Sequence, residues 1–158
     1  MISGFSATLT GDAVRIVTFF IILLISMNVF AEKVCGYPEE ARVTIVSRTG
    51  EKRFFKTGVA SSDAEHERGL MFCEKMDQNQ GLMFIFENDA QRFFWMKNTK
   101  IELAVIYIDK NFKVVSVNRG IPMSRKSIPS ITAVRYVLEL NWDAGKSILP
   151  GDQVIFKM

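Results

Sequence analysis

Apolar positions fall in short runs along most of this chain, separated by polar turn residues. Runs of this length, rich in β-branched and aromatic residues, read as strands. The pattern predicts strands over 42–47, 53–56, 81–86, 91–96, 101–108, 113–117, 135–140 and 153–156. Turn signals punctuate them. Arg48-Thr49-Gly50-Glu51 separates the first two, Glu87-Asn88-Asp89 separates the third and fourth, and Asp109-Lys110-Asn111 marks a hairpin. Short strands with polar turns point to a mainly β domain, a compact antiparallel β-sandwich or barrel-like fold with one or two short helices.

Two helices fit between the strands. Ser62-Asp63-Ala64-Glu65 is a capping-box pattern, and Gly69 supplies the stop, so a helix is predicted over 63–68. A second is expected over 144–148, ended by Pro150 and Gly151. The segment 119–134 is the longest irregular stretch, and irregular loops of this length are often functional.

The N-terminus follows a different pattern. Residues 16–25 are apolar apart from Thr18, with Arg15 just before them. Val29, Phe30 and Ala31 follow, then charged Glu32 and Lys33. A positive flank, a short apolar core and a small-x-small exit describe a secretory signal peptide over 1–31. An uncleaved anchor is the competing reading. The first thirteen residues hold Asp12 and no Lys or Arg, so translation is expected to start at Val14. The exported domain is then 32–158, in the periplasm or secreted, with no membrane span after cleavage.

Length and composition narrow the picture further. The chain has 158 residues, 48% hydrophobic and 23% charged, with net charge +3. This is one domain's worth of chain and excludes disordered, collagen-like and polytopic membrane classes. The charge is too small to argue for nucleic acid, and none is expected as a partner. Both cysteines, Cys35 and Cys73, survive cleavage, and in an oxidising compartment they suggest a disulfide. Charge is unevenly placed. Lys110, Lys113, Arg119, Arg125, Lys126 and Arg135 lie in a stretch without acids, while the stretch 59–90 is strongly acidic. The basic loop reads either as a site for an anionic partner or as one of two solvated faces that attract weakly.

Standard catalytic sets are missing from the sequence. His66 is the single histidine, and there is no nucleophile elbow, Walker A loop, dinucleotide fingerprint or Cys-x-x-Cys. A Cys73–His66 nucleophile would compete directly with the disulfide. The methionines form no closely spaced array and read as core filling, so no metal and no cofactor are expected. Glu139 and Asp152 are the carboxylates placed for acid–base work. Glu139 alternates to the face opposite Leu138 and Leu140 and reads as exposed, and Asp152 reads as a turn former.

Three segments stand out. Arg68-Gly69-Leu70-Met71-Phe72 precedes Gly81-Leu82-Met83-Phe84-Ile85-Phe86. Phe94-Trp95-Met96-Lys97-Asn98-Thr99 follows. Pro129-Ser130 then leads to Arg135-Tyr136-Val137-Leu138-Glu139-Leu140 and to Pro150-Gly151-Asp152. Over 41–156 the chain resembles the exported family known only as domain of unknown function family 192. The resemblance implies a compact β-rich fold and frequent export, and assigns no reaction. Two positions depart from the family pattern. Ile101-Glu102-Leu103-Ala104 stands where the family reads Ile-Pro-Leu-Asp, and Cys73 stands where the family often has Arg.

Gly69 and Gly81 are expected in turns. Trp95 could stack on a ring, with Lys97, Asn98 and Thr99 beside it, and Arg68 and Arg135 could clamp an anion. The structural alternative places Trp95 in the core and the arginines on buried carbonyls or on Glu139. The sequence therefore suggests a small binding or accessory module of the cell envelope. Arg68, Trp95, Lys97, Asn98, Ser130 and Arg135 would take a small anionic or sugar-like ligand. An envelope hydrolase or transferase, using Glu139 or Asp152 with Lys97, is the first alternative and predicts a pocket with a carboxylate inside. An interaction module built on the basic loop is the second.

Overall fold

The computed structural model describes residues 33–158. The signal segment, its start at Val14 and its exit at Ala31 lie outside the described residues. Glu32–Met158 forms one compact unit holding every described strand, both cores and the disulfide, and so carries what independent folding needs. Among the described residues no helix is long and apolar enough to cross a membrane.

The strands are β1 (Lys33–Val34), β2 (Tyr37–Pro38), β3 (Ala41–Val46), β4 (Lys52–Ala60), β5 (Gln80–Ala90) and β6 (Phe93–Phe94). They continue with β7 (Leu103–Ile108), β8 (Val114–Gly120), β9 (Ile128–Pro129), β10 (Val134–Asn141) and β11 (Gln153–Lys157). Helix α1 spans Asp63–Arg68 and α2 spans Trp142–Gly145. Seven strands form one sheet in the order β11-β3-β4-β5-β10-β7-β8, curled into a half-barrel. Its two edge strands approach at one end, where Val114 N–H donates to Asp152 O and Val154 N–H to Phe112 O.

Each main-sheet pair is antiparallel except β4–β5, which is parallel. A parallel pair cannot be joined by a tight turn and needs a crossover. Residues 61–79 make that crossover and carry α1 over one face of the sheet. The capping box holds as the sequence suggests. Glu65 N–H donates to Ser62 Oγ, and Glu65 Oε2 accepts from Ser62 N–H at 2.9 Å. Gly69 ends the helix at φ 45°.

The sheet packs against a core on each face, and burial is most complete in β7. All six residues of β7 are buried, as expected for a strand between two cores. One core gathers Tyr37, Leu70, Leu82, Phe84, Met96, Leu103, Val105, Tyr107 and Val137 beneath the crossover. The other gathers Val43, Ile45, Met83, Ala104, Ile106, Leu138, Leu140 and Ile148 within the curl. Each large side chain so buried contributes about 1.5–3 kcal/mol.

Several expected boundaries move for physical reasons. The polar triplet Glu87-Asn88-Asp89 does not turn. β5 runs through it to Ala90, which pairs with Val134 at the start of β10. The strand expected over 91–96 shrinks to β6, which pairs with β9 inside the irregular 119–134 segment. The second helix begins two residues early, at Trp142, and ends at Gly145, which lies against Ala104. A Cβ there would come within 2.2 Å of the Ala104 Cβ.

Gly81 lies inside β5 rather than in a turn. A Cβ at Gly81 would meet Leu140 Cδ2 at 2.5 Å and the Glu139 carbonyl oxygen at 2.7 Å. Backbone cannot yield as a flexible side chain can, so Gly81→Ala is expected to cost about 1–3 kcal/mol. The midpoint of urea unfolding measures this, and an unchanged midpoint would refute the packing described here.

Candidate functional site: a buried carboxyl beside an exposed tryptophan

Glu139 lies in the middle of β10, opposite Leu82 of β5 and Val105 of β7. Its alternation relative to Leu138 and Leu140 is as expected, but its exposure is not. The crossover covers its face, leaving the residue only 4% exposed. Burial pushes its carboxyl up to about 8, since the charged form is poorly solvated there. Its Oε2 has no hydrogen-bond partner among the protein's groups. A buried polar atom of this kind is uncommon, and an unfilled partner position is one explanation.

A recess opens onto this carboxyl. Its walls come from Arg68, Gly69, Leu70 and Met71 at the end of α1, and from Phe94, Trp95, Lys97 and Thr99. It has about 20 Å³ of water-accessible volume, room for one small polar group. Gly69 keeps it open, because a Cβ there would lie 3.3 Å from Phe84 and 3.9 Å from Glu139 Oε2. A second hollow of about 300 Å³ shares His66, Phe94 and Trp95 with the recess and adds Phe86, Gln91, Arg92 and Phe93. That volume falls at the lower end of small-molecule sites. Arg92 stacks over Phe86 at 3.9 Å and donates to Asn88 at 2.6 Å, yet its buried Nε has no partner. The hollow and the recess thus each contain an unsatisfied polar atom, a donor in one and an acceptor in the other.

Trp95 is 43% exposed, which settles whether it belongs to the core. Lys97 Nζ lies 4.9 Å from the centre of its ring, a cation–π contact. Arg68 also lines the recess, but its guanidinium donates to Cys35 O at 3.0 Å and stacks on Tyr37 at 4.8 Å. The Tyr37 hydroxyl donates to Gly69 O at 3.2 Å, so the β1–β2 hairpin braces the end of α1. Burial raises the Tyr37 phenol above its ordinary value. Burial likewise raises that of Tyr107, whose hydroxyl donates to Ile128 O.

The structure places the other expected site residues elsewhere. Asn98 sits at φ 55° in a turn beside the recess, accepting from Phe72 N–H at 2.8 Å. Ser130 is buried and fully engaged. Its Oγ donates to Thr132 O at 2.7 Å and accepts from Arg92 N–H at 2.9 Å. Arg135 pairs with Asp89 at 2.6 Å, joining the basic stretch to the acidic one. Asp152 accepts from Leu149 N–H and Arg48 N–H, which makes it the turn former the sequence suggests. Cys35 and Cys73 form a disulfide, and His66 Nε2 lies 3.1 Å from both Ala60 O and Ile85 O. Neither Cys73 nor His66 is available as a nucleophilic pair. Sequence reasoning missed Arg92, because nothing in a loop sequence marks which residues will face a hollow.

The motifs singled out in the sequence therefore converge. The Arg-Gly-Leu-Met segment, the Phe-Trp-Met-Lys-Asn-Thr string and Glu139 surround one recess. Ala104, where the family pattern has Asp, faces the opposite core against Gly145, so that departure does not touch the recess.

Comparison with known proteins agrees with this architecture. A Sinorhizobium meliloti 1021 protein, provisionally named a transcription regulator, is 28% identical over 73% of this chain and 92% of its own, with TM-score 0.72. A protein of unknown function from Novosphingobium aromaticivorans DSM 12444 is 29% identical over 72% of this chain and 83% of its own, with TM-score 0.68. No curated protein matches the sequence. The DUF192 family model, described as Uncharacterized ACR, matches residues 44–156, most of the chain, and the chain belongs to that family.

Proposed function

We propose that this chain is a binding module of the cell envelope for a small, neutral, hydroxyl-bearing ligand of sugar-like chemistry. The observation that carries the reading is the orphaned Oε2 of buried Glu139 at the floor of a recess beside exposed Trp95. A sugar ring in the larger hollow would stack on Trp95 and send one hydroxyl into the recess. At neutral pH the protonated Glu139 both donates and accepts, which suits a hydroxyl. An anionic ligand is less well matched, because Arg68 and Arg135 already have partners and a carboxyl forms the floor. The disulfide supports work in an oxidising compartment outside the cytoplasm.

The indole N–H resonances of Trp95 and Trp142, told apart with a Trp142→Phe variant, report binding site-specifically. Adding glucose, N-acetylglucosamine or maltose is expected to shift the Trp95 signal. Trp95→Ala and Glu139→Ala should each weaken binding about tenfold, while Glu139→Gln, which keeps a donor and an acceptor, stays within about threefold. If inorganic phosphate shifts the Trp95 signal and no saccharide does, the sugar-like reading fails.

A second reading draws on the same floor. A carboxyl pushed up to about 8 is protonated at neutral pH, the state of a general acid, and Lys97 lines the same recess. A hydrolase or transferase of this kind would lose turnover in Glu139→Gln, whereas the binding module keeps its ligand.

A further inference from the structure

Three turns meet at one tip of the domain. Cys73 N–H donates to Leu70 O, Thr99 N–H to Met96 O, and Ser124 N–H to Ile121 O. They are joined to one another, for Phe72 N–H donates to Asn98 O at 2.8 Å and Met123 N–H to Thr99 O at 2.9 Å. The third residue of each turn has a left-handed backbone: Phe72 at φ 64°, Asn98 at 55° and Met123 at 61°. Glycine or asparagine is the ordinary occupant of such a position, and Asn98 conforms. Phe72 and Met123 do not. Both are bulky, and they are 67% and 56% exposed. The fold gains little from either side chain in return for the strain.

The surroundings share this character. Ile121 in the third turn, Phe93 in strand β6 and Trp95 between β6 and the middle turn are also exposed. Arg125 and Lys126 follow the third turn directly after Ser124 and are exposed, and Lys97 lies within the middle turn. Lys100 pairs with Glu74. Exposed apolar side chains on turns, flanked by cations, match the headgroup boundary of an anionic bilayer. Aromatic rings and Met enter the acyl boundary, and Lys and Arg meet the phosphates.

We propose that this three-turn tip docks the domain onto an anionic phospholipid surface. Met71, Lys97 and Thr99 of two of the turns also line the recess, so docking sets the mouth of the recess at the bilayer. The proposal stands on the turns and their charges, independently of what the recess binds.

The test is co-sedimentation of Glu32–Met158 with vesicles of phosphatidylcholine alone and of an equimolar phosphatidylcholine–phosphatidylglycerol mixture. The protein is expected to bind the mixture and not the neutral vesicles. Phe72→Asn with Met123→Asn should weaken that binding at least about tenfold, by removing buried apolar surface. The same double variant should melt about 2–4 °C higher, because asparagine tolerates the left-handed backbone. Arg125→Glu with Lys126→Glu should abolish the preference for the mixture. Protein left in the supernatant with both vesicles overturns the proposal and points to a protein partner for the tip. Undiminished binding of the asparagine variant, or a lowered melting temperature, also overturns it.

Discussion

Glu139→Gln should remove most of the alkaline loss of stability from this protein. The folded-state carboxyl is raised to about 8 from an ordinary value of 4.5 by burial alone. The folded state therefore holds a proton that the unfolded state releases. The associated stability is fully present below pH 4.5 and is lost as pH rises to about 8, above which the loss levels off. The slope is about 1.4 kcal/mol per pH unit, or about 5 kcal/mol across the window as an upper limit. Gln keeps the shape and has no proton to lose, so its stability should be nearly flat over the same window. Urea unfolding of both proteins across that range measures the difference. Parallel curves would show that the carboxyl is not buried in water-poor surroundings.

Removing the Cys35–Cys73 disulfide should have the next largest effect. The two residues are 38 apart in sequence, and closing a loop of that length stabilises the folded state by about 4 kcal/mol on the chain-entropy account. Part of the consequence is local. The disulfide ties the turn between β1 and β2 to the loop after α1, and that hairpin supplies Tyr37 and the Cys35 carbonyl that hold Gly69 and Arg68. A Cys35→Ala, Cys73→Ala protein should unfold at markedly lower urea and lose its ligand response at Trp95. Unfolding midpoints that coincide with and without reductant would contradict the first part, and an unchanged Trp95 response in the double variant the second.

Much of the fold was legible because local signals and tertiary demands agreed. The capping box at Ser62–Glu65 and the stop at Gly69 fixed α1 to the residue. The β7–β8 hairpin was announced by Asp109-Lys110-Asn111, where Asp109 Oδ1 accepts from Asn111 N–H and Lys113 N–H. The short strands β1, β2 and β9 were not legible, since two residues carry no periodicity. The parallel β4–β5 pair was also hidden, because direction is a property of the crossover and not of either strand's pattern.

The site was legible in its parts and not in its assembly. Trp95, Lys97 and Arg68 were singled out and do line the recess. Ser130 and Arg135 look equally suited to binding, but they hold the β6–β9 region and Asp89. Glu139 shows most clearly what a sequence leaves open. Alternation tells which face a side chain takes, and it cannot tell whether that face is covered. Here the covering comes from the crossover between β4 and β5, a long-range feature with no mark on β10 itself.

In the proposed function, Glu139 is the protonated floor of a ligand recess at neutral pH. Its carboxyl carbon resonance, followed by ¹³C NMR from acid to alkaline pH with and without the saccharide that shifts Trp95 most, tests this directly. The account predicts a midpoint at about 8 in the free protein, moved higher when the saccharide seals the recess. A midpoint near 4.5, the same with and without saccharide, would contradict it.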